Sequence, residues 1–190
     1  EYTQLQKALR LAKGGHGRKR KLLALERLKE KENNFVDTYC HRVSKKVVDY
    51  AIKNRAKYIN IENLKGYDSS EFVLRNWSFY KLQQYITYKA EQCGIIVRKI
   101  NPSFTSQVCS FCGHWEKGQR KDQATFKCKN PNCKSHKLYT VNADYNAARN
   151  IAMSTQFTDD KFKCSKETIQ AAADYYGIVL EDDNNNDKAA

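Results

Sequence analysis

The chain has 190 residues, 41% of them hydrophobic, and a formal net charge of +13. That length accommodates one ordinary domain plus a small insertion, and the apolar share fills a core, so the expectation is a globular protein. No stretch approaches the roughly eighteen uninterrupted apolar residues of a membrane span, and nothing has the layout of a cleavable signal, so membrane and secretory readings lack support and the expectation is an intracellular protein.

The charge is uneven. Residues 1–56 hold fifteen Lys/Arg against six acids, residues 57–154 carry about +8 and residues 155–190 about −4. Such a field favours polyanions, nucleic acid first. Seven cysteines, an odd number in a Lys-rich chain without an export signal, argue for metal ligation plus spare thiols and against a disulfide framework. The chain begins with Glu1 and its one methionine is Met153, so it reads as a fragment or a processed product.

In chain order, "TQLQKALRLAK" is weakly helical and should stop at "GGHG", where three glycines in four residues break it. "RKRK" (Arg18, Lys19, Arg20, Lys21) predicts a basic loop. From about Leu22 to Ala56 the residues Leu22, Leu25, Leu28, Phe35, Tyr39, Val43, Val47 and Tyr50 keep a three-to-four-residue spacing, which predicts a long amphipathic helix with a possible break at Asn33-Asn34. "KYINIENLKG" alternates Ile59 and Ile61 with polar residues, the period of a strand, and places Glu62 at its C-terminal end before Gly66.

"NWSFYKLQQYITYKAEQCG" predicts an aromatic-faced helix through Trp77, Tyr80, Tyr85 and Tyr88, ended by Gly94. "IIVRKI" predicts a second strand stopped by Asn101-Pro102. A further helix should begin near Asn142 or Asp144 and run to Met153, with Ala147, Ala148 and Ile151 as its buried stripe. Another short helix is expected around "KETIQAAADYYG", and the polar tail "EDDNNNDKAA" should be disordered. Helix, strand, helix, strand in that order suggests an α/β sheet with helical cover.

Cys109-x2-Cys112 and Cys128-x4-Cys133 form two close pairs, each able to bring two thiolates to one side of a turn, as a tetrahedral zinc site requires. Gly113 suits the tight knuckle after the first pair, and Asn130-Pro131 sits inside the second. Cys40, Cys93 and Cys164 have no partner at metal spacing and read as ordinary thiols, while His114 and His136 could compete as ligands. A closed four-cysteine site offers no position for substrate water, so this zinc should fold the loop and leave chemistry to other residues. Glu62 ends an apolar "INI" run, where an acid is odd unless it faces a cleft. Asp144 sits at a helix start, where an aspartate often caps the helix or complements its dipole. Two acids meeting at one sheet edge would suit Mg²⁺ and phosphoryl transfer.

"INIENL", "NWSFYKLQQYITYKAEQCGIIVRKINPSFTSQVCSFCG", "FKCKNPNC" and "NADYNAARNI", in that succession over residues 20–153, resemble the C-terminal half of TnpB proteins and of the miniature type V CRISPR effectors descended from them. The resemblance implies an α/β fold: an RNase H-like (RuvC) sheet with helical cover and an inserted four-cysteine zinc ribbon, incomplete at its N-terminus. It implies nuclease residues 1–104 and 141–180, a zinc-binding target-nucleic-acid-binding insertion at 105–140, and a tail at 181–190. Carried over, Glu62 matches the second catalytic acid and Asp144 the third. Arg149 matches a basic position beside the third acid, and Cys109, Cys112, Cys128 and Cys133 match the zinc ligands.

The family's first acid, an aspartate on a strand before the long helix, has no counterpart in this chain, since Asp37 lies within the helical pattern. The expected partners are therefore guide RNA, target DNA and an N-terminal segment or companion chain that completes the site, in the cytoplasm of a prokaryotic cell and at its nucleoid when bound to DNA. Arg18, Lys19, Arg20, Lys21, Lys45 and Lys46 would hold phosphates, and Trp115 would stack on a base or pack on the zinc module. The rival readings are a catalytically inactive, zinc-stabilised nucleic-acid binder and a structural half of a split effector.

Overall fold

The structure, a computed structural model, describes residues 2–11, 16–65, 79–134 and 140–180. It divides into two compact units, one of residues 1–55 and 76–93, the other of residues 56–75 and 94–190. Trp77, Gly66, His136 and the tail 181–190 lie outside the described residues. Among the described residues no helix is long and apolar enough to cross a membrane.

The first unit is helical. Helix α1 spans Tyr2–Arg10, α2 spans His16–Lys53 and α3 spans Phe79–Gln92. At 38 residues α2 runs about 57 Å. It begins six residues earlier than the apolar pattern predicts, so Arg18, Lys19, Arg20 and Lys21 are helical and form no loop. Lys and Arg are good helix formers, and the helix continues through them because nothing in the run breaks it. It also passes Asn33-Asn34 without a break.

Cys40, Val48 and Ala51 of α2 bury with Ile86 and Ala90 of α3. The aromatic positions do not make that core. Tyr80 is exposed, and Tyr85 stacks on His41 with ring centroids 4.2 Å apart. A polar seam runs beside them: Asp37 accepts from Lys81 and from the Tyr85 hydroxyl, and Lys89 donates to Ser44 Oγ at 2.7 Å. The Lys81 ammonium holds the Asp37 carboxyl below the ordinary range.

In the second unit, β1 (Tyr58–Glu62) pairs in parallel with β2 (Ile96–Ile100), with Glu62 opposite Ile100. Gly94, at φ +71, makes the turn into β2 that a residue with a Cβ would enter under strain. The far edge of β2 meets the chain again near Phe157, through Asn101 N–H to Gln156 O and Thr158 N–H to Lys99 O, both 2.9 Å. Short strands β3 (Thr125–Phe126) and β4 (Val141–Asn142) pair antiparallel, and α4 (Ala143–Met153) follows directly. Asn60, on β1, donates to the Ile151 and Ala152 carbonyls and so ties the strand to the C-terminal end of α4. Helix α5 (Lys166–Tyr176) opens on a Ser165/Thr168 capping box and ends at Gly177, φ +66.

The buried stripe of α4 is not the expected one. Ala143, Asn146 and Asn150 are buried, whereas Ala147 and Ile151 are half-buried and Ala148 is exposed. The reason is a set of hydrogen bonds. Asn146 Oδ1 accepts from Ser110 N–H at 2.9 Å, Asn146 Nδ2 donates to Val108 O at 2.8 Å, and Asn150 Nδ2 donates to Thr105 O and Val108 O, each at 2.7 Å. Two asparagines, satisfied on the loop that leads into Cys109, replace the apolar contact that periodicity predicts.

Candidate active site and metal centre

The cysteine pairs meet. Gly113, at φ +72, closes the first knuckle with its N–H on Cys109 O at 2.8 Å, and the second pair turns where Cys133 N–H reaches Asn130 O at 3.0 Å. The four sulfurs of Cys109, Cys112, Cys128 and Cys133 all lie within 4.8 Å of one another, with Cys109–Cys133 and Cys112–Cys128 each at 3.7 Å. Tetrahedral Zn²⁺ with sulfur at about 2.3 Å requires edges of about 3.8 Å, so the donor set fits that ion in type and spacing.

Cys109, Cys128 and Cys133 are buried on Phe126 and Ala143. Desolvation within the cluster pushes the Cys112 and Cys128 thiols up, which a dication among the sulfurs would reverse. His114 is not in the cluster; its Nε2 lies 3.5 Å from Glu116 Oε2.

The second feature is a cleft of about 440 Å³ lined by Glu62, Thr105, Arg120, Asp144, Ala147 and Ile151, among others. Glu62 comes from the end of β1 and Asp144 from the first turn of α4, 82 positions apart. Asn142 takes the N-cap, its side chain accepting from Tyr145 N–H at 2.9 Å, which relieves Asp144 of capping and leaves its carboxylate 81% exposed in the cleft. Ala147 and Ala148, one turn on along the same helix, form a small-residue wall beside the acid, and Ile151 lines the cleft a turn further on.

Two residues that sequence reasoning passed over complete the cleft. Thr105 donates its hydroxyl to Glu62 Oε1 at 2.6 Å and is itself buried. It is placed by Phe104, which adopts φ +63 and packs edge-on against Trp115 with centroids 6.4 Å apart. A left-handed non-glycine residue costs about 1–2 kcal/mol, met here by that packing. Arg120, from the stretch between the cysteine pairs, brings Nη2 to 3.8 Å from Asp144 Oδ1. Burial pushes the Glu62 carboxyl up, while the Thr105 hydrogen bond and the Arg120 charge oppose the rise. The signal for Arg120 lay only in the fold: Arg120 bridges to Phe126, and Phe126 pairs with Val141 two residues before Ala143.

The remaining expected residues lie elsewhere. Arg149 stacks over Phe111, 4.7 Å from the ring centroid, and does not line the cleft. Trp115 packs on Phe104 and donates Nε1–H to Gln107 at 3.3 Å. Lys19, Arg20 and Lys46 are exposed on α2, Lys21 reaches Ala8 O at 3.3 Å, and Lys45 pairs with Asp49 at 2.8 Å.

The second unit thus carries a cleft with two carboxylates and an arginine, and a four-thiol cluster whose donors could hold a metal ion, within an α/β protein. The Cas12f1-like TNB domain family matches residues 79–151. The chain is 48% identical over 143 residues to the CRISPR-associated endodeoxyribonuclease Cas12f1 of Sulfoacidibacillus thermotolerans, covering 75% of this chain and 32% of that one. It is 35% identical over 115 residues to the TnpB-like protein MJ0751 of Methanocaldococcus jannaschii, covering 57% of this chain and 41% of that one. A cryo-EM structure of a Cas12f1–sgRNA–target DNA complex superposes with a TM-score of 0.57 at 29% identity, over 80% of this chain and 41% of that one. Over most of its length the chain is similar to a fragment of the TnpB-like, miniature type V CRISPR effectors, and it spans about a third of the length of the first curated relatives it matches.

Proposed function

We propose that this chain is the nuclease portion of an RNA-guided DNA endonuclease and that the cleft of Glu62 and Asp144 is where a DNA phosphodiester is hydrolysed. The observation that carries it is the meeting of these two acids, from distant segments, on one cleft with Arg120. The names of the relatives, endodeoxyribonucleases among them, and the match to a guide-RNA and target-DNA complex support the same reading. In it, β1 and β2 belong to a RuvC-type, RNase H-like sheet, residues 1–104 and 141–180 are nuclease, and 105–140 are a target-nucleic-acid-binding insertion. The first acid comes from a segment or chain outside these residues.

Hard oxygen donors on an open cleft suit Mg²⁺, which Glu62 and Asp144 would hold and which would supply charge neutralisation and an activated water. The residues themselves do the rest. Thr105 fixes the Glu62 carboxylate through its hydroxyl, so the anion is oriented before anything binds. Arg120 lies between cysteine pairs and acids and can trade its long contact with Asp144 for a phosphate oxygen, to which a guanidinium binds with two parallel N–H groups.

The test is Mg²⁺-dependent cleavage of guide-matched DNA by the chain joined to the upstream portion of a relative such as Cas12f1. Glu62→Gln and Asp144→Asn should each abolish cleavage while zinc content stays at one ion per chain. Cleavage that survives either change would remove the cleft from the mechanism. DNA binding without cleavage, with all the acids present, would favour the inactive binding module.

A further inference from the structure

The outer face of α2 has no role in the reading above. At 100° per residue, Phe35, Tyr39, Arg42, Lys46, Tyr50 and Lys53 fall in one stripe about 80° wide and about 27 Å long. The stripe lies away from the face that buries Cys40, Ser44, Val48 and Ala51. Phe35 and Tyr50 are 71% exposed and Tyr39 51%, and Arg42, Lys46 and Lys53 are exposed as well. The Phe35 and Tyr39 rings lie nearly parallel, 20° apart with centroids 6.4 Å apart. Among the described residues no ion pair holds Arg42, Lys46 or Lys53.

Three flat rings and three unpaired cations on one helix face restrict what covers them. An apolar protein surface would bury the rings but strip water from the cations without compensation. A duplex would satisfy the cations but keeps its base faces stacked inside. A single strand offers both, with bases free to stack on rings and phosphates at the spacing of the cations. Tyr39 and Tyr50 add exposed phenol hydroxyls, which can exchange hydrogen bonds with a ribose 2′-OH and have no such partner on DNA. We propose that this stripe is a binding track for single-stranded RNA, with bases on Phe35, Tyr39 and Tyr50 and phosphates on Arg42, Lys46 and Lys53. The proposal rests on the RNA-guided reading only for the class of partner, and it does not involve the cleft.

The test is fluorescence anisotropy of the 190-residue chain with a labelled, unstructured RNA of roughly 20 nucleotides, without Mg²⁺, over a salt series. Phe35→Ala/Tyr39→Ala/Tyr50→Ala should weaken binding by about tenfold or more and leave the salt slope unchanged. Arg42→Ala/Lys46→Ala/Lys53→Ala should lower that slope by about 2, at about 0.7 per phosphate contact on a single strand. DNA of the same sequence and duplex RNA should bind more weakly than the single-stranded RNA. Far-UV circular dichroism checks that the helix persists. Should the alanine variant lose helix, Phe35→Leu/Tyr39→Leu/Tyr50→Leu, which keeps apolar bulk without a ring face, is expected to show the same loss of binding. Wild-type affinity in a folded ring variant would overturn the proposal, and so would equal affinity for single-stranded DNA. Because no cleavage is read, failure here leaves the assignment of Glu62 and Asp144 untouched.

Discussion

At the scale of the residue, Glu62 is a charge held where charge is disfavoured. Burial raises its carboxyl above the ordinary value, so the folded state binds that proton more tightly than the unfolded one. The stability this contributes is fully present below pH 4.5 and is lost as pH rises through the raised folded value. Glu62→Gln removes the titration while leaving Thr105 an oxygen to bond. Without metal, the variant's melting temperature should therefore gain on the wild type as pH climbs past 4.5, then run parallel to it; a constant gap across that range would contradict the burial argument. Arg120 invites a second expectation. Arg120→Ala should lower cleavage by on the order of 100-fold with little change in the Mg²⁺ midpoint, as loss of a preorganised donor to a developing charge does. The positions of Glu62 and Asp144, at a strand end and a helix start, could be read from the sequence, but only the family resemblance paired them, and the structure puts both on one cleft. Arg120 and Thr105 were not legible there, since each sits in a loop whose return to the cleft depends on contacts that no local pattern encodes.

At the scale of the element, the long helix, both parallel strands and the last helix follow their apolar spacing, and the errors come where that spacing carries no information. "RKRK" has no apolar residue from which to read a period, yet its residues favour helix, so α2 extends through it. In α4 the alanines look like a core stripe, but the asparagines are buried because a loop with unpaired backbone groups lies against them. This gives a prediction with a sign of coupling. Asn146→Ala leaves Ser110 N–H without its acceptor and should cost about 2 kcal/mol in urea unfolding at unchanged m-value. Val108 O keeps Asn150 in that variant, and loses both donors only when Asn150→Ala is added. The double variant should therefore be less stable than the sum of the single ones, by about 1 kcal/mol. Simple additivity would mean that Val108 O finds water or another donor.

At the scale of the whole molecule, the thiol centre and the cleft are two ends of one device within the second unit. The segment from Thr105 to Phe126 carries Thr105 and Arg120 to the acids, and it is anchored on one side by Cys109 and Cys112 and on the other by Cys128, beside Phe126. A structural zinc ion supplies folding energy outright, and without it four thiols, three of them buried, have no reason to stay together. Chelation should then free four additional thiols to a colorimetric reagent, beyond exposed Cys93 and half-buried Cys164. All four cysteines lie in the second unit, so most of the helical signal of the first should persist. Cleavage by the completed protein should fall together with zinc occupancy, even though Glu62 and Asp144 are untouched and Mg²⁺ is in excess, because Thr105 and Arg120 leave the cleft when their loop unravels. If activity outlasts the zinc, the acids are sufficient by themselves and the loop is a passenger. If helicity collapses with the thiols, the two units do not fold independently, and the ion holds far more than the cleft.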